Sequence, residues 1–550
     1  MEGRIEKTDE ESNKIKNTVE EEDNEVQPTA EDWKSLPRIP DKLPLMVWMV
    51  VFCELCERFT YYGASGPFQN YVQYPPPEEK FGQAGAIGAG QETATSLGYF
   101  FHFFCYITPI LGAIVADQYL GRYNTIIVFC LIYMLGLTIL TTTAIPQAIQ
   151  AKAALPGLIV SMIVIGLGTG GIKSNVGPLV ADQYTRTKPY VKMENGEKKA
   201  IVDPKITIQS LFHWFYLAIN IGSLSPILTT FLEKYHSFWM AYLVPLLMFF
   251  FAIGVLLIFK NRYVKKPPEG SILLKVIRVL RVAFVNGRNL DNAKPSNLSN
   301  EEVIKYNINW DDKFIDQLRK ALKACRVFVF FPLYWVAYDQ MANNLVSQAS
   351  VMQVNGIPND LVMNLNSISL IILVPLTDKV FYPTLQKFGI IIRPVTRMFI
   401  GFMLAAVAMA YTAIVQHLIY SAGPCYTNTG CKIDGVAVPN NVNVWIQSPC
   451  YILIGFSEIF ASITGLSYAY ERAPDEMKST VMALFLTTSA FGSALGFAFV
   501  PISKDPYLVI LYSVLSAICV VSGIWMYFVT RKYDKEEELE EEQQQQLAEK

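Results

Sequence analysis

The chain has 550 residues, 52% of them apolar, 13% aromatic and only 17% charged, with a formal net charge of −2. That composition excludes an ordinary soluble protein. The net charge itself identifies no partner, because acidic tails and basic connections are segregated along the chain.

Residues 1–44 are polar and mostly acidic and read as a disordered tail. They contain no short apolar core with a cleavage site, so no cleavable signal peptide is expected, and the first apolar stretch acts as an uncleaved anchor. Twelve membrane-length segments follow, near 45–73, 93–116, 123–145, 156–181, 207–231, 238–260, 326–351, 362–386, 395–420, 444–470, 478–500 and 507–530. The connections alternate in charge. Arg186, Lys188, Lys192, Lys198, Lys199 and Lys205 fill 183–206, and 260–326 is richer still, with Lys265, Lys266, Lys275, Arg278 and Arg281 among its cations. The intervening connections hold about one lysine each or none, such as Lys80, Lys152, Lys234, Lys432 and Lys504. Basic loops stay in the cytoplasm, so both termini are expected there.

The expected organisation is an acidic tail at 1–44, a six-helix bundle at 45–260, a cytoplasmic linker at 261–325, a second six-helix bundle at 326–530 and an acidic tail at 531–550. Within the linker, Ser271–Phe284 places Leu273, Ile277, Leu280 and Phe284 on one face. Such a helix either lies along the inner leaflet or packs on the bundle ends. Cys425 and Cys431 fall in a connection expected outside, five residues apart, and are expected to form a disulfide. The other cysteines and the four histidines (102, 213, 236 and 417) show no metal-ligand spacing. The sequon Asn297-Leu298-Ser299 lies in the linker and is expected to stay unglycosylated.

Charges inside the apolar segments carry the chemistry. The first segment contains Glu54, Glu57 and Arg58, each costing roughly 2.5–3.5 kcal/mol near a membrane centre. On a helix Arg58 lies about 40° from Glu54, Glu57 about 60° to the other side, and Tyr61 shares the arc. One face thus gathers acids, a guanidinium and a hydroxyl, a natural proton site. Lys173 lies in the fourth segment, about 13 Å along a helix from Asp182 at the membrane edge. Asn220, Asp339, Asn366 and Glu458 lie in the fifth, seventh, eighth and tenth. The asparagines also fit as glue between helices. As a set, Arg58 and Lys173 in the first half and Asp339 and Glu458 in the second suit a ligand with a negative and a positive end. Tyr61, Tyr62, Tyr106, Asn220 and Asn366 add groups that could bond a peptide backbone.

Two echoes support a repeated plan. Ala-Asp-Gln-Tyr recurs at 116–119 and 181–184, and Gly112, Asp117, Gly121 and Arg122 resemble the loop motif of the major facilitator superfamily, where the carboxylate braces neighbouring helices. Glu54-x-x-Glu57-Arg58-Phe59-x-Tyr61-Tyr62-Gly63, the segment 168–183 and Phe215-Tyr216-x-x-x-Asn220 resemble the three signatures of the proton-coupled oligopeptide transporters, and the chain looks like their fungal di/tripeptide branch. The resemblance implies an all-α membrane protein of twelve helices in two six-helix bundles, the major facilitator fold. It implies a plasma-membrane proton symporter of di- and tripeptides by alternating access, not an enzyme, driven by the proton gradient without a cofactor. The partners it implies are peptides, protons and the lipid bilayer, with no nucleic acid.

Residue by residue, the resemblance implies proton coupling by Glu54, Glu57, Arg58, Lys173 and Asp339. It implies peptide binding by Arg58, Tyr61, Tyr62, Tyr106, Lys173, Asn220, Trp335, Asn366 and Glu458. Ser65 replaces a basic residue common in bacterial members, and Phe485 replaces a pocket tryptophan. The second-segment histidine of animal members aligns with Tyr99, so His102 is expected to play no coupling role. A nitrate carrier and a non-transporting nutrient sensor are the alternative readings.

Overall fold

A computed structural model describes residues 26–548, except 30, 79–81, 195–196, 269, 390–391, 434–435 and 475–476. The acidic stretch 1–25 lies outside the described residues. Among those described, eleven helical stretches are long and apolar enough to cross a membrane: Gln91–Leu120, Arg122–Thr143, Ala154–Asp182, Pro204–Tyr235, Phe238–Ile258, Asp312–Ser350, Asn359–Lys387, Pro394–Ser421, Val444–Arg472, Thr480–Ile502 and Leu508–Lys532. The helix Leu45–Ser65 is as long but contains Glu54, Glu57 and Arg58. Counted with it, the spans number twelve, as expected, and are called the first to twelfth below. Helices are the economical answer for such sequences, since each satisfies its backbone internally.

Several spans break where the sequence interrupts the hydrogen-bond ladder. The fourth stops at Lys173 and resumes at Val176. The fifth stops at Gly222 and resumes at Pro226, a residue with no amide hydrogen to give. The seventh tightens into a 3-10 turn at Asp339–Ala342. Lys173 and Asp339 therefore sit at breaks rather than in continuous helix.

Buried side chains form two separate cores. One gathers spans one to six around Tyr133, Tyr242 and Phe249; the other gathers spans seven to twelve around Phe331, Phe402 and Tyr512. The linker belongs to the second core. Its helix Ile272–Val285 buries Val276, Val279, Val282 and Ala283 in the cluster that also holds Trp310, Phe314 and Leu318. The apolar face named from sequence is a different one: Ile277, Leu280 and Phe284 remain 48%, 39% and 64% exposed. Both alternatives for this helix thus have a face to use.

The termini side carries three differences from expectation. First, the described residues of 26–44 include regular structure. Strand β1 (Arg38–Ile39) pairs in parallel with β3 (Glu197–Val202), which pairs antiparallel with β2 (Tyr190–Glu194). Lys198 Nζ donates to both Asp32 carboxylate oxygens at 2.9 and 2.8 Å. The tail expectation missed this because a two-residue strand has no periodicity to read. Second, the twelfth helix runs through Ala548, so 531–548 continue a helix. Third, the loop motif engages a second acid, Asp182. Gly121, at φ +72°, ends a π-helical turn and starts the third span at Arg122. Arg122 Nη1 then lies 2.5 Å from Asp182, and Lys266 Nζ lies 2.8 Å from the same carboxylate. Asp182 is the second echo's acid. Asp117 meets the linker through its carbonyl, which accepts Gly270 N–H at 2.9 Å. Gly112 serves helix approach, since a methyl there would stand 2.4 Å from the Gly170 carbonyl oxygen.

The far side is where the halves join. Gln69 and Gln73 bond Ser347, Gln91 and Thr95 bond Asn344, and Asn70 and Asn359 exchange amide bonds at 2.8 and 2.9 Å. Lys234 and Tyr235 reach the Ile357 and Gly356 carbonyls. In the ninth-to-tenth connection, Cys425 and Cys431 are bonded as expected, with Cα atoms 5.6 Å apart.

Candidate functional site

In the first span the three charges form a closed group. Arg58 Nε lies 3.1 Å from Glu54 Oε1, and Arg58 Nη2 lies 2.5 Å from Glu57 Oε2. All three side chains are buried. The i,i+4 spacing explains the first contact. Close approach of the fifth span explains the burial: a methyl on Gly222 would lie 2.7 Å from Arg58 Cβ. An ion pair this deep is tolerated because each charge is answered locally.

The two tyrosines of the signature separate. Tyr61 is buried inside the first half, stacked on Phe101 at 5.8 Å, while Tyr62 is half-buried and among the groups that feel Glu458 electrostatically. Tyr62 therefore faces the second half, and Tyr61 is chiefly core.

Lys173 ends its helix with Nζ 3.3 Å from the centre of the Tyr106 ring. That is a cation–π contact, and desolvation strengthens it. Its other charged neighbours are Arg58, Glu57 and Glu54. One turn before Tyr106, the His102 ring lies 5.1 Å away, and His102 Nδ1 lies 3.2 Å from Asp339 Oδ1. Asp339 Oδ2 accepts a bond from Ser493 Oγ at 2.9 Å. A line of polar groups thus runs from the first-span cluster through Lys173, Tyr106 and His102 to Asp339 in the other half. His102, which the sequence reading expects to play no coupling role, lies on this line. The sequence held a usable signal, because His102 and Tyr106 are i,i+4 on one helix face. Tyr99 instead packs toward the second half, accepting Gln340 Nε2 at 2.8 Å.

In the second half, Glu458 precedes a π-helical turn, Ile459–Ile463. Its carboxylate accepts Tyr338 O–H at 3.1 Å, with the Asn366 side chain beside it. Trp335 donates Nε1–H to Thr488 at 3.0 Å and stands edge-on to Tyr338 at 5.2 Å, with Phe485 beside it at 6.1 Å. Asn220 spends its amide on the Tyr216 carbonyl at 2.8 Å. Tyr216, named in the sequence only as part of a signature and not as a site residue, is one of the groups that feel Glu458. Lys173 and Glu458 are not joined here. Each holds an aromatic partner from its own half, Tyr106 and Tyr338 respectively.

The first half thus holds Lys173 and Arg58, the latter paired with Glu54 and Glu57, and the second half holds Asp339 and Glu458, each set with tyrosine partners of its own. Among the described residues no group of His, Cys, Asp and Glu is placed to hold a metal ion.

The family model described as the POT family matches residues 123–516. The chain is 47% identical over 520 residues to peptide transporter PTR_A of Candidozyma auris, covering 94% of this chain and 87% of that one. It is 42% identical over 513 residues to peptide transporter PTR2 of Saccharomyces cerevisiae, covering 93% and 83%. The crystal structure of the POT family transporter PepTSo superposes with a TM-score of 0.69 at 21% identity, over 90% of this chain and 99% of that one. That likeness gives the twelve helices the major facilitator fold, in two bundles of six. By its match over most of its length, the chain belongs to the POT family of membrane transporters, a family of carriers and not of enzymes.

Proposed function

We propose that the chain brings di- and tripeptides into the cell together with protons, by alternating access across the plasma membrane, with both termini in the cytoplasm. The observation that carries this is the division of charge between the halves: Arg58 and Lys173 on one side, Glu458 on the other, at the seam of two bundles. A zwitterion answers both sides, and a simple anion would leave Glu458 unpaired. In this reading Lys173 and Arg58 receive the peptide carboxylate, and Glu458, oriented by Tyr338 and Asn366, receives the amino terminus. Tyr62, Tyr106, Asn220 and Trp335 line the backbone and side chains between those ends.

Proton coupling falls to Glu54, Glu57 and Arg58, with Lys173 and the His102–Asp339 pair continuing the route toward the second half. The basic connections mark the termini side as cytoplasmic, so the interlocked far side is the outer gate, closed in this structure. No cofactor is needed, since the gradient supplies the work. The test is uptake of a labelled dipeptide into proteoliposomes under an imposed pH gradient. Accumulation that requires an acidic exterior supports the reading. Equilibration without accumulation, or no uptake at all, overturns it.

A further inference from the structure

The outer gate contains two acids that the transport reading leaves unused. Glu233 closes the fifth span, and Asp360 stands in the turn that opens the eighth. They belong to opposite halves and are 5% and 0% exposed. Asn70 Nδ2 donates to Glu233 Oε1 at 2.8 Å and also to Asn359 Oδ1 at 2.8 Å, so the same amide ties Glu233 to the neighbour of Asp360. Asn70 thus holds Glu233 against the turn that carries Asp360, and the two carboxyl groups are charged neighbours there. Among the described residues, Glu233 Oε2 and both Asp360 oxygens are buried with no donor from any third residue; Asp360 has only its own backbone N–H beside it. The nearest cation does not resolve this, because Lys234 Nζ donates to the Ile357 carbonyl at 2.6 Å. The other titratable groups facing the pair are Tyr242 of the sixth span and Tyr451 of the tenth.

Two bare carboxylates packed together in a dry site repel, whereas one proton between them makes an O–H···O bond. We propose that Glu233 and Asp360 bind one shared proton from the outer solution, and that this proton latches the outer gate shut. The closed gate then holds one proton more than the open gate at this pair. Acid outside favours closing, and raising the pH favours opening, by up to about tenfold in the closed-to-open ratio per pH unit. The proton returns to the outer side when the gate reopens, so it times the gate without crossing with the peptide.

The experiment reads the gate directly. Spin labels on cysteines introduced at the exposed positions Gln150 and Thr427, one in each half, report the outer separation in lipid nanodiscs. The free native cysteines among the described residues are buried, so labelling falls on the introduced pair. With wild-type carboxyls, the long-distance population is expected to grow at least severalfold from about pH 5 to about pH 8. In Glu233→Gln, the amide donates to Asp360 in place of the shared proton, so the short distance should persist across that range; Asp360→Asn gives the mirror test if the first variant folds poorly. A wild-type distance that ignores pH overturns the latch. So does a pH response that survives in both variants, which would place the titrating group elsewhere, at His102–Asp339 for example. The inference rests on the proposed carrier cycle, but the two fail differently. Wild-type protein that takes up no peptide sinks the transport reading, whereas a pH-blind gate in an active carrier sinks only the latch.

Discussion

Gly222 shows how one absent side chain positions a charge. A methyl there would meet Arg58 Cβ at 2.7 Å, Phe59 N at 2.8 Å and the Leu55 carbonyl at 3.0 Å, and two of those three are backbone atoms that cannot swing aside. Gly222→Ala should therefore push the first and fifth spans apart, costing about 1–3 kcal/mol and disturbing the Arg58 ion pairs. Thermal unfolding in detergent should show a lower midpoint, and an unchanged midpoint would refute this packing account. Glu458 offers a graded test. Tyr338→Phe removes one neutral-to-charged hydrogen bond, about 1.5–3 kcal/mol, so KM for a dipeptide should rise by roughly tenfold to a hundredfold with the protein still active. Glu458→Ala removes the acid itself and should abolish uptake while the protein still reaches the membrane. Near-normal uptake by Glu458→Ala would cancel its assignment to the amino terminus. At this scale the sequence was informative about which residues are charged in the membrane, because each such residue is costly on its own. It was silent on pairing: that Arg122 meets Asp182, or His102 meets Asp339, depends on the packing of distant helices.

At the scale of elements, the segment before the first span docks on the β2–β3 hairpin through backbone and side-chain bonds, among them Val191 N–H to the Val26 carbonyl and Tyr190 O–H to Asp41. Ile201 N–H donates to the Pro37 carbonyl and Asp203 N–H to the Ile39 carbonyl, and the Asp32–Lys198 pair closes the arrangement. Lys198, and then Thr29, hold the Asp32 carboxyl below the usual carboxylate range, at about 2. A value lowered by docking means the ionised form favours docking. The gain is present at all pH values above about 4 and is lost as the pH falls through about 2. Wild-type docking should thus be indifferent to pH across the physiological range. Asp32→Asn should loosen it at neutral pH, read as severalfold faster hydrogen exchange at Ile201 and Asp203, and Asp32→Lys combined with Lys198→Asp should restore protection. Equal exchange in wild type and Asp32→Asn would show that the strand pairing alone suffices. The twelve spans were legible in advance because membrane length and apolarity are strong, local signals. The breaks at Ser174–Asn175 and Ser223–Ser225, and the strand at Arg38–Ile39, were not. Each is a matter of a few residues whose conformation is decided by tertiary neighbours rather than by their own pattern.

For the whole molecule, the role proposed for the first-span cluster is to convert a gradient into peptide accumulation. One proton moving through about 100 mV gains roughly 2.3 kcal/mol, and one pH unit adds roughly 1.4 kcal/mol. Together these support accumulation of a few hundredfold for one proton per neutral peptide. To use that work, a carboxylate must take a proton facing one side and release it facing the other. In the structure both Glu54 and Glu57 are engaged by the single guanidinium of Arg58. Arg58 can serve only so many partners, so a peptide carboxylate drawn to it would compete with Glu57, the shorter contact. The acid released from Arg58 then becomes the better proton acceptor, and its reprotonation would accompany peptide binding. Glu57→Gln, and to a lesser degree Glu54→Gln, should therefore lose pH-driven accumulation. Exchange of peptide for peptide needs no net proton movement and should survive at least in part. Paired uptake and counterflow in the same proteoliposomes, at several external pH values, separate the two. If both glutamine variants still concentrate peptide with wild-type pH dependence, the proton passes elsewhere. The line through Lys173, Tyr106 and His102 to Asp339 is then the next route to interrupt, beginning with His102→Gln, which keeps a polar side chain beside Asp339 while removing the titrating ring.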